Sequence, residues 1–261
     1  MHRILTSRIE EDRVALTPED FHHLVRVLRL REGDEFEAVT GDGHRFLCRL
    51  ERAGTAWWGR IQRAAYDPRE SPFRIHLAPA LIKWERFEWI LQKGVELGVA
   101  SFHPILSERT SSTRHGGYCP RKLERWHRIL QEALKQCGRG CLPRLEEPTP
   151  LAAVLERLAK HPIVFLDENA HRPLQQRVEE LVGCQECLLL VGPEGGWDER
   201  ERTLVRMKGV PPVGLGPRIL RAETAAVAAS TILQYSLGDL GRGISTPETP
   251  GESEREKPIE D

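Results

Sequence analysis

Short apolar runs in the second half of the chain constrain the fold more than any other feature. Ile163 to Leu166 and Leu188 to Val191 contain no polar residue, which is typical of strands buried on both faces of a sheet. Strand and helix patterns alternate around these runs, and this alternation predicts an α/β fold with a parallel sheet. The predicted strands are 73–81, 101–106, 163–166 and 188–191, and the predicted helices are 84–97, 122–137 and 221–237.

The first seventy residues predict a separate β-rich unit with one helix. Three extended runs form a meander at 34–40, 45–50 and 56–65. The turn residues Gly41 to Gly43 separate the first two runs. Thr17 and Asp20 have the spacing of a helix capping box, and Pro18 suits the first helical position. The polar face of this helix carries His22, Arg26 and Arg29. That face is either an ordinary solvated surface or a row of phosphate contacts.

Charge is distributed unevenly along the chain. The formal net charge is only −1. Between His103 and Leu145, however, the sequence contains nine Lys or Arg residues and only three acidic residues. This excess of positive charge indicates an anionic partner such as nucleic acid. After Gly241 the chain is rich in Gly, Pro, Ser, Thr and Glu, and we expect a disordered acidic tail. The expected domains are 1–70, 71–240 and the tail 241–261.

The sequence predicts neither a membrane protein nor a metalloprotein. No stretch approaches the ~18 to 20 apolar residues that a membrane-spanning helix needs, so we expect a soluble, cytoplasmic protein. Two cysteine pairs resemble zinc half-sites, Cys137 with Cys141 and Cys184 with Cys187. Cys137 lies in phase with an apolar helix face and Cys187 begins a predicted strand, so we expect both to be buried as small hydrophobic residues. A zinc module remains a minor alternative.

A glycine-rich bend follows the predicted strand 188–191. The segment 192–196 reads Gly-Pro-Glu-Gly-Gly, and Asp198 and Glu201 then have capping-box spacing. Bends of this kind at the carboxyl ends of parallel strands are where α/β proteins bind ligands. Glu194 argues against a nucleoside triphosphate, because its charge repels phosphate. A cationic ligand without phosphate fits better, and a tight turn without any ligand remains the alternative.

A second bend, Gly214 to Gly216, is followed at once by Arg221 and Glu223 at the start of the alanine-rich helix. We expect the two bends to form opposite walls of one pocket, with these two charged residues at its mouth. The alternative is an ordinary helix start, because the helix dipole favours an acidic residue in the first turn.

Six segments together resemble the RsmE family of bacterial methyltransferases, which act on N3 of a uridine in 16S ribosomal RNA. The segments are 22–29, 92–98, 107–109, 132–139, 192–196 and 215–226. The resemblance spans about residues 1 to 240 and places the chain in the SPOUT superfamily. It implies a PUA-like N-terminal β-barrel for RNA, and a parallel-sheet domain threaded into a trefoil knot. It further implies a homodimer that binds S-adenosylmethionine in the knot loops and acts on 16S ribosomal RNA or the small ribosomal subunit.

The resemblance also implies roles for individual residues. The candidate catalytic residues are Arg221, to stabilise the deprotonated uracil, and Glu223, to accept the proton or orient Arg221. The candidate cofactor-binding residues are Leu190, Gly192, Glu194, Gly195, Gly196, Leu215, Gly216, Ile219, Leu220 and Thr224. The candidate RNA-binding residues are His22, Arg26, Arg29, Lys83, Arg109, Arg121, Arg125, Arg128 and Arg139. Two alternatives stay open: a SPOUT enzyme that modifies another RNA position, and an RNA-binding assembly factor without activity.

Overall fold

The structure is a computed structural model that describes residues 1–67, 69–110 and 120–241. The predicted acidic tail therefore lies outside the described residues, apart from Gly241. Two six-stranded sheets organise the described chain: the strands of the first lie between Arg3 and Tyr66, and those of the second between Arg74 and Val213. No helix in the described ranges is long and apolar enough to cross a membrane.

The N-terminal sheet has the strand order β1-β4-β5-β6-β3-β2. Its strands are β1 (Arg3–Leu5), β2 (Ile9–Glu10), β3 (Arg13–Ala15), β4 (Glu35–Val39), β5 (His44–Ala53) and β6 (Ala56–Tyr66). The predicted meander is confirmed, because β4, β5 and β6 pair antiparallel in succession. β1 to β3 were not predicted, because they are too short to show alternation. Phe36, Leu50 and Val14 are fully buried in a core between this sheet and the adjoining helix.

The N-terminal helix begins as predicted but changes its winding. In α1 (Pro18–Phe21), Thr17 and Asp20 form the predicted capping box. A π-helix, His22–Val27, follows directly, and the Leu28 amide donates to the His23 carbonyl 2.9 Å away. The predicted polar face assumed α-helical spacing, so it is only partly correct: His22 and Arg26 are exposed on the π-helix, whereas Arg29 lies beyond it with a φ of +59°.

The second sheet is parallel throughout, with the order β10-β8-β7-β13-β12-β14. Its strands are β7 (Arg74–Pro79), β8 (Val99–Phe102), β10 (Arg144–Leu145), β12 (Ile163–Leu166), β13 (Glu186–Val191) and β14 (Pro212–Val213). Two further short strands, β9 (Ile105–Leu106) and β11 (Thr149–Pro150), pair with each other. The predicted strand 101–106 is thus two strands, because Pro104 cannot donate a backbone hydrogen bond.

Helices cover both faces of this sheet. They are α2 (Trp84–Glu96), α3 (Pro120–Cys137), α4 (Leu151–Arg157), α5 (Leu174–Glu180), α6 (Glu199–Arg206) and α7 (Ala222–Ser236). Alternate residues of β13 belong to two hydrophobic cores, one on each face of the sheet. Leu189 packs with residues of α2, α3 and α7, whereas Leu188 packs with residues of α4 and α6. This confirms that the apolar run 188–191 is buried on both faces. The trefoil knot stays a prediction.

Three side chains of the N-terminal sheet, Arg3, Glu37 and Arg45, form a cluster that connects this sheet to the end of α3, and we call it the joint cluster. Both arginines hydrogen-bond Glu37, and Arg45 Nη1 also donates to the Gly138 carbonyl at the end of α3, 2.8 Å away. Burial raises the pKa of Glu37, but the hydrogen bonds from Arg3 and Arg45 outweigh it and lower this pKa overall. Glu37 is therefore a buried carboxylate that stays ionised.

Candidate active site

A cavity of about 640 Å³ lies at the carboxyl ends of β12, β13 and β14. Loops that follow these three neighbouring strands form most of its wall, and the start of α7 closes one side. The carboxyl edge of a parallel sheet is where ligands bind in α/β folds, and the volume suits a small organic molecule. The lining residues are Arg86, Leu166 to Glu168, Val191 to Gly196, Val213 to Gly216, Arg218 to Ala222, and Ala225.

Both predicted glycine-bearing bends line this one cavity. Gly192 to Gly196 form one wall and Gly214 to Gly216 form another. Gly196 has a φ of +69°, and a Cβ atom there would come within 2.2 Å of a Glu168 carboxylate oxygen. Gly216 has a φ of +99°, a conformation that favours glycine. The bends therefore need glycine for their own backbone geometry, and this geometry exposes main-chain groups to the cavity.

The cavity has a third wall that was not predicted from the sequence. Leu166, Asp167 and Glu168 follow β12 and line the cavity beside the first bend. Arg202 of α6 holds this loop, because its Nε donates to Asp167 Oδ2 at 2.7 Å and its Nη1 to the Trp197 carbonyl at 2.6 Å. The available signal was an acidic pair directly after a predicted buried strand, which lies at the ligand-binding edge of a parallel sheet.

Arg86 and Glu194 line the cavity, whereas Glu223 lies outside the lining, unlike the prediction that placed it at the mouth, and pairs with Arg86 from the first turn of α7. We call these three charged side chains the mouth cluster. Arg86, in the first turn of α2, hydrogen-bonds Glu194, and its Nε lies 3.6 Å from Glu223 Oε1. The other oxygen of Glu223, Oε2, is buried and accepts no hydrogen bond from any described residue. A buried carboxylate oxygen without a donor is costly, so this atom is suited to a donor supplied by a ligand.

The catalytic candidate Arg221 precedes α7 as its N-cap residue and lines the cavity. Its side chain is exposed and forms no ion pair in the part of the chain that the structure describes. Two cofactor candidates need correction. Leu190 is fully buried in the core with Trp197 and does not line the cavity, because β13 is covered on both faces. Thr224 is exposed on α7 and also lies outside the lining.

The basic candidates have different surroundings. Lys83, Arg121 and Arg128 are exposed. Arg125 is exposed but paired with Glu88 through two hydrogen bonds of 2.6 and 2.7 Å. Arg109 Nη1 donates to the Gly195 carbonyl at 3.2 Å, so it lies against the first glycine bend.

The RNA-binding prediction for Arg139 is wrong on this structure. Its side chain is buried, pairs with Glu70 and donates to the carbonyl groups of Val95 and Val99, both 3.0 Å away. With its donors already used inside the protein, Arg139 fixes the end of α2 and the start of β8. Phosphate groups of an RNA cannot reach it without disrupting that contact.

Comparisons with known proteins agree with this arrangement. Residues 69–234 match the model of an RNA methyltransferase domain, and residues 16–55 match that of an RNA methyltransferase PUA domain. A Synechocystis protein named ribosomal RNA small subunit methyltransferase E is 36% identical over 87% of this chain and 74% of its own. The Bacillus subtilis protein of the same name is 32% identical over 85% of this chain and 89% of its own.

Solved structures are similar over nearly the whole chain. The ribosomal RNA small subunit methyltransferase E of Neisseria gonorrhoeae, bound to S-adenosyl methionine, is 28% identical with a TM-score of 0.81, covering 92% of this chain and 99% of that chain. A Legionella pneumophila protein, in complex with the cofactor SAM, is 33% identical with a TM-score of 0.79, covering 92% of this chain and 98% of that chain.

Proposed function

Because the chain belongs to the family of ribosomal RNA small subunit methyltransferase E, we propose that it transfers a methyl group from S-adenosylmethionine to N3 of a uridine in 16S ribosomal RNA. The observation that carries this proposal is the single cavity between the two glycine-bearing bends. Its substrate, the RNA or the small ribosomal subunit, would place the protein in the cytoplasm.

The cavity residues fit this cofactor. S-Adenosylmethionine carries a sulfonium cation and no phosphate, and the carboxylate of Glu194 in the wall suits a cation better than a phosphate. We assign the main-chain groups of Gly192, Gly195 and Gly196 to one side of the cofactor, and those of Leu215, Gly216, Ile219 and Leu220 to the other. When bound, the cofactor supplies an electrophilic methyl group.

The chain's own residues must prepare the uracil ring. N3 of uracil carries a proton at neutral pH, and this proton must leave before nitrogen can act as a nucleophile. We assign its removal to Glu223, because this residue pairs with Arg86 of the cavity wall and its Oε2 has no donor among the described residues. Arg221 stabilises the negative charge that spreads over N3 and the two carbonyl oxygens. Arg86 is a positioning residue, since it holds the other oxygen of Glu223.

We assign RNA binding to the PUA-like domain (residues 1–70) and to the basic surface of the methyltransferase domain (71–240). The exposed candidates are His22, Arg26, Arg29, Lys83, Arg109, Arg121, Arg125 and Arg128. Contacts between such side chains and phosphates provide affinity and orientation but little sequence information. Selection of the target uridine therefore depends on RNA shape, and on a base turned out of its stack so that N3 is accessible.

We further propose a homodimer. Several apolar side chains are exposed in the last described segments, and burying them would be favourable. They are Ile219, Ile232, Tyr235 and Leu240. Light scattering of the purified protein tests this proposal, and a monomer at micromolar concentration would contradict it.

Nucleoside analysis of methylated RNA tests the proposed reaction. The purified protein, S-adenosylmethionine and small subunits from a strain that lacks the enzyme should yield 3-methyluridine in 16S ribosomal RNA. A 2′-O-methyl or N1-methylguanosine product would assign the chain to another SPOUT activity. If calorimetry detects no S-adenosylmethionine binding, the chain is a non-catalytic RNA-binding factor and the proposal fails.

A further inference from the structure

Three polar side chains converge at the end of the second sheet opposite the cavity. His76 belongs to β7, Glu186 begins β13, and His161 lies just before β12. These strands are neighbours in the order β7-β13-β12. One ligand atom of each side chain lies within 4.8 Å of the other two, and within the ranges 1–67, 69–110 and 120–241 this is the one group of three or more potential metal ligands that meets this criterion.

The spacing within this group is compatible with a metal site. His161 Nε2 lies 3.2 Å from Glu186 Oε1, and His76 Nε2 lies 3.3 Å from Glu186 Oε2. A tetrahedral zinc ion with ligands at about 2.0–2.2 Å requires separations of roughly 3.3–3.5 Å between ligand atoms. Charge-assisted hydrogen bonds are shorter, about 2.7–2.9 Å. We propose that His76, His161 and Glu186 bind a zinc ion, with water in the fourth position.

A buried hydrogen-bond chain orients one of the proposed ligands. His76 Nδ1 lies 2.7 Å from Ser101 Oγ, which lies 2.8 Å from His103 Nε2, and all three residues are buried. With zinc on Nε2, His76 Nδ1–H donates to Ser101 Oγ, and the Ser101 hydroxyl donates to His103. A partner on the second ring nitrogen is the usual arrangement for a zinc-bound histidine.

The proposed zinc site has a structural role. It ties together the starting ends of three adjacent strands, whereas the cavity lies at their carboxyl ends. Glu186 and Val191 are the first and last residues of β13, so the two sites are roughly 17 Å apart along this strand at about 3.3 Å per residue. Zinc should therefore raise the melting temperature and leave the methyl-transfer rate constant unchanged. The proposal does not depend on the proposed function.

Calorimetric titration of untagged, chelator-treated protein with zinc chloride tests this inference. Wild type should bind one zinc ion per chain, and native mass spectrometry should detect that ion. Glu186→Gln retains the side-chain size but loses the charge, and we expect its affinity to fall more than about 100-fold. Ser101→Ala removes the hydroxyl that contacts both His76 and His103 but no proposed ligand, and it should weaken binding by about 10- to 100-fold. His171→Ala, at an exposed histidine without an assigned role, should bind zinc as wild type does.

Cobalt substitution distinguishes this site from the cysteines. A four-coordinate cobalt site of histidine and carboxylate absorbs in the visible range without the near-ultraviolet charge-transfer band of a thiolate ligand. Circular dichroism verifies that each variant is folded. The inference is overturned if wild type and Glu186→Gln bind zinc equally, if neither binds it, or if the cobalt spectrum shows thiolate ligation.

Discussion

The joint cluster and the mouth cluster use the same residue types in opposite proportions. In the joint cluster one carboxylate lies between two guanidinium groups, and both oxygens of Glu37 accept hydrogen bonds. In the mouth cluster one guanidinium lies between two carboxylates. The side chain of Glu37 is 7% exposed, whereas that of Arg86 is 34% exposed. The joint cluster is thus closed to solvent, whereas the mouth cluster is in contact with solvent.

Ion pairs between arginine and glutamate thus serve two purposes in this protein. Every charge in the joint cluster has its partner inside the protein, so we expect the cluster only to stabilise the contact between the N-terminal sheet and α3. In the mouth cluster Glu223 Oε2 has no donor among the described residues, so this cluster keeps an acceptor that the described protein groups do not use. We therefore expect substitutions in the joint cluster to change stability and those at the mouth to change turnover.

The largest effect should follow from Glu223→Gln. The amide has nearly the same shape but cannot accept the N3 proton, so kcat should fall by about 10³-fold, or about 4 kcal/mol. The affinity for S-adenosylmethionine and the melting temperature should change little. Raising the pH should restore part of the rate, because N3 then loses its proton to solvent. Near-wild-type turnover at neutral pH would reject Glu223 as the base.

Glu37→Gln should have the next largest effect, on stability alone. It removes the carboxylate between Arg3 and Arg45 and leaves, among the described residues, only the more distant Asp67, 3.9 Å from Arg45 Nε. Loss of one partner of a buried ion pair typically costs about 3 kcal/mol. Urea denaturation should show this loss, while kcat at saturating substrate stays within about twofold of wild type. Glu51→Gln is the control, since Glu51 pairs with Arg60 at a more exposed place on the same sheet, where an ion pair contributes about 0–1 kcal/mol. Equal losses in both variants would contradict the assigned role.

Arg221→Ala should reduce kcat by about 10²-fold, because it removes a cation that stabilises the deprotonated uracil. Donor affinity should fall only a few-fold, as measured by calorimetry. Arg218→Ala is the matched control, since Arg218 also lines the cavity and is exposed but has no assigned role in the reaction. Similar losses in both variants would indicate a general electrostatic effect instead.

Arg86→Met should reduce kcat by about tenfold, or about 1.4 kcal/mol. The change leaves Glu194 and Glu223 without the cation between them, so Glu223 loses its fixed orientation. Arg86→Lys keeps the charge and should recover part of the rate, which a loss of packing alone would not predict. If the Lys variant is no better than the Met variant, Arg86 does not act through its charge.

The parts of the fold set by local pattern were predictable from sequence. The apolar run at residues 163–166 gives β12 with its predicted bounds, and the Thr17 capping box gives the start of α1. The two glycine bends were assigned to one pocket because the carboxyl ends of parallel strands share one edge. The short strands β1 to β3 carry no comparable pattern. Pairing with strands distant in sequence, β4 and β6, stabilises β1 and β3, and β2 pairs with β3.

The parts of the site set by distant contacts were not predictable. Arg86 reaches Glu194 over more than one hundred positions of sequence, and no local motif indicates that approach. For Arg139, by contrast, the sequence predicted a functional contact that the fold does not provide. Its place in a basic segment predicted RNA binding. Charge density along the sequence does not reveal that its guanidinium is buried and hydrogen-bonded to Glu70 and two carbonyl groups.

The smallest expected effect is a pH dependence of the joint cluster. Because the pKa of Glu37 is lowered in the folded protein, its ion pairs add their full stability above the unfolded-state pKa. That contribution is lost as the pH falls through the folded-state pKa. The difference in unfolding free energy between wild type and Glu37→Gln should therefore be constant near neutral pH and shrink in acid. Urea denaturation across this range measures it, and a difference that grows in acid would show that Glu37 is not held as a carboxylate.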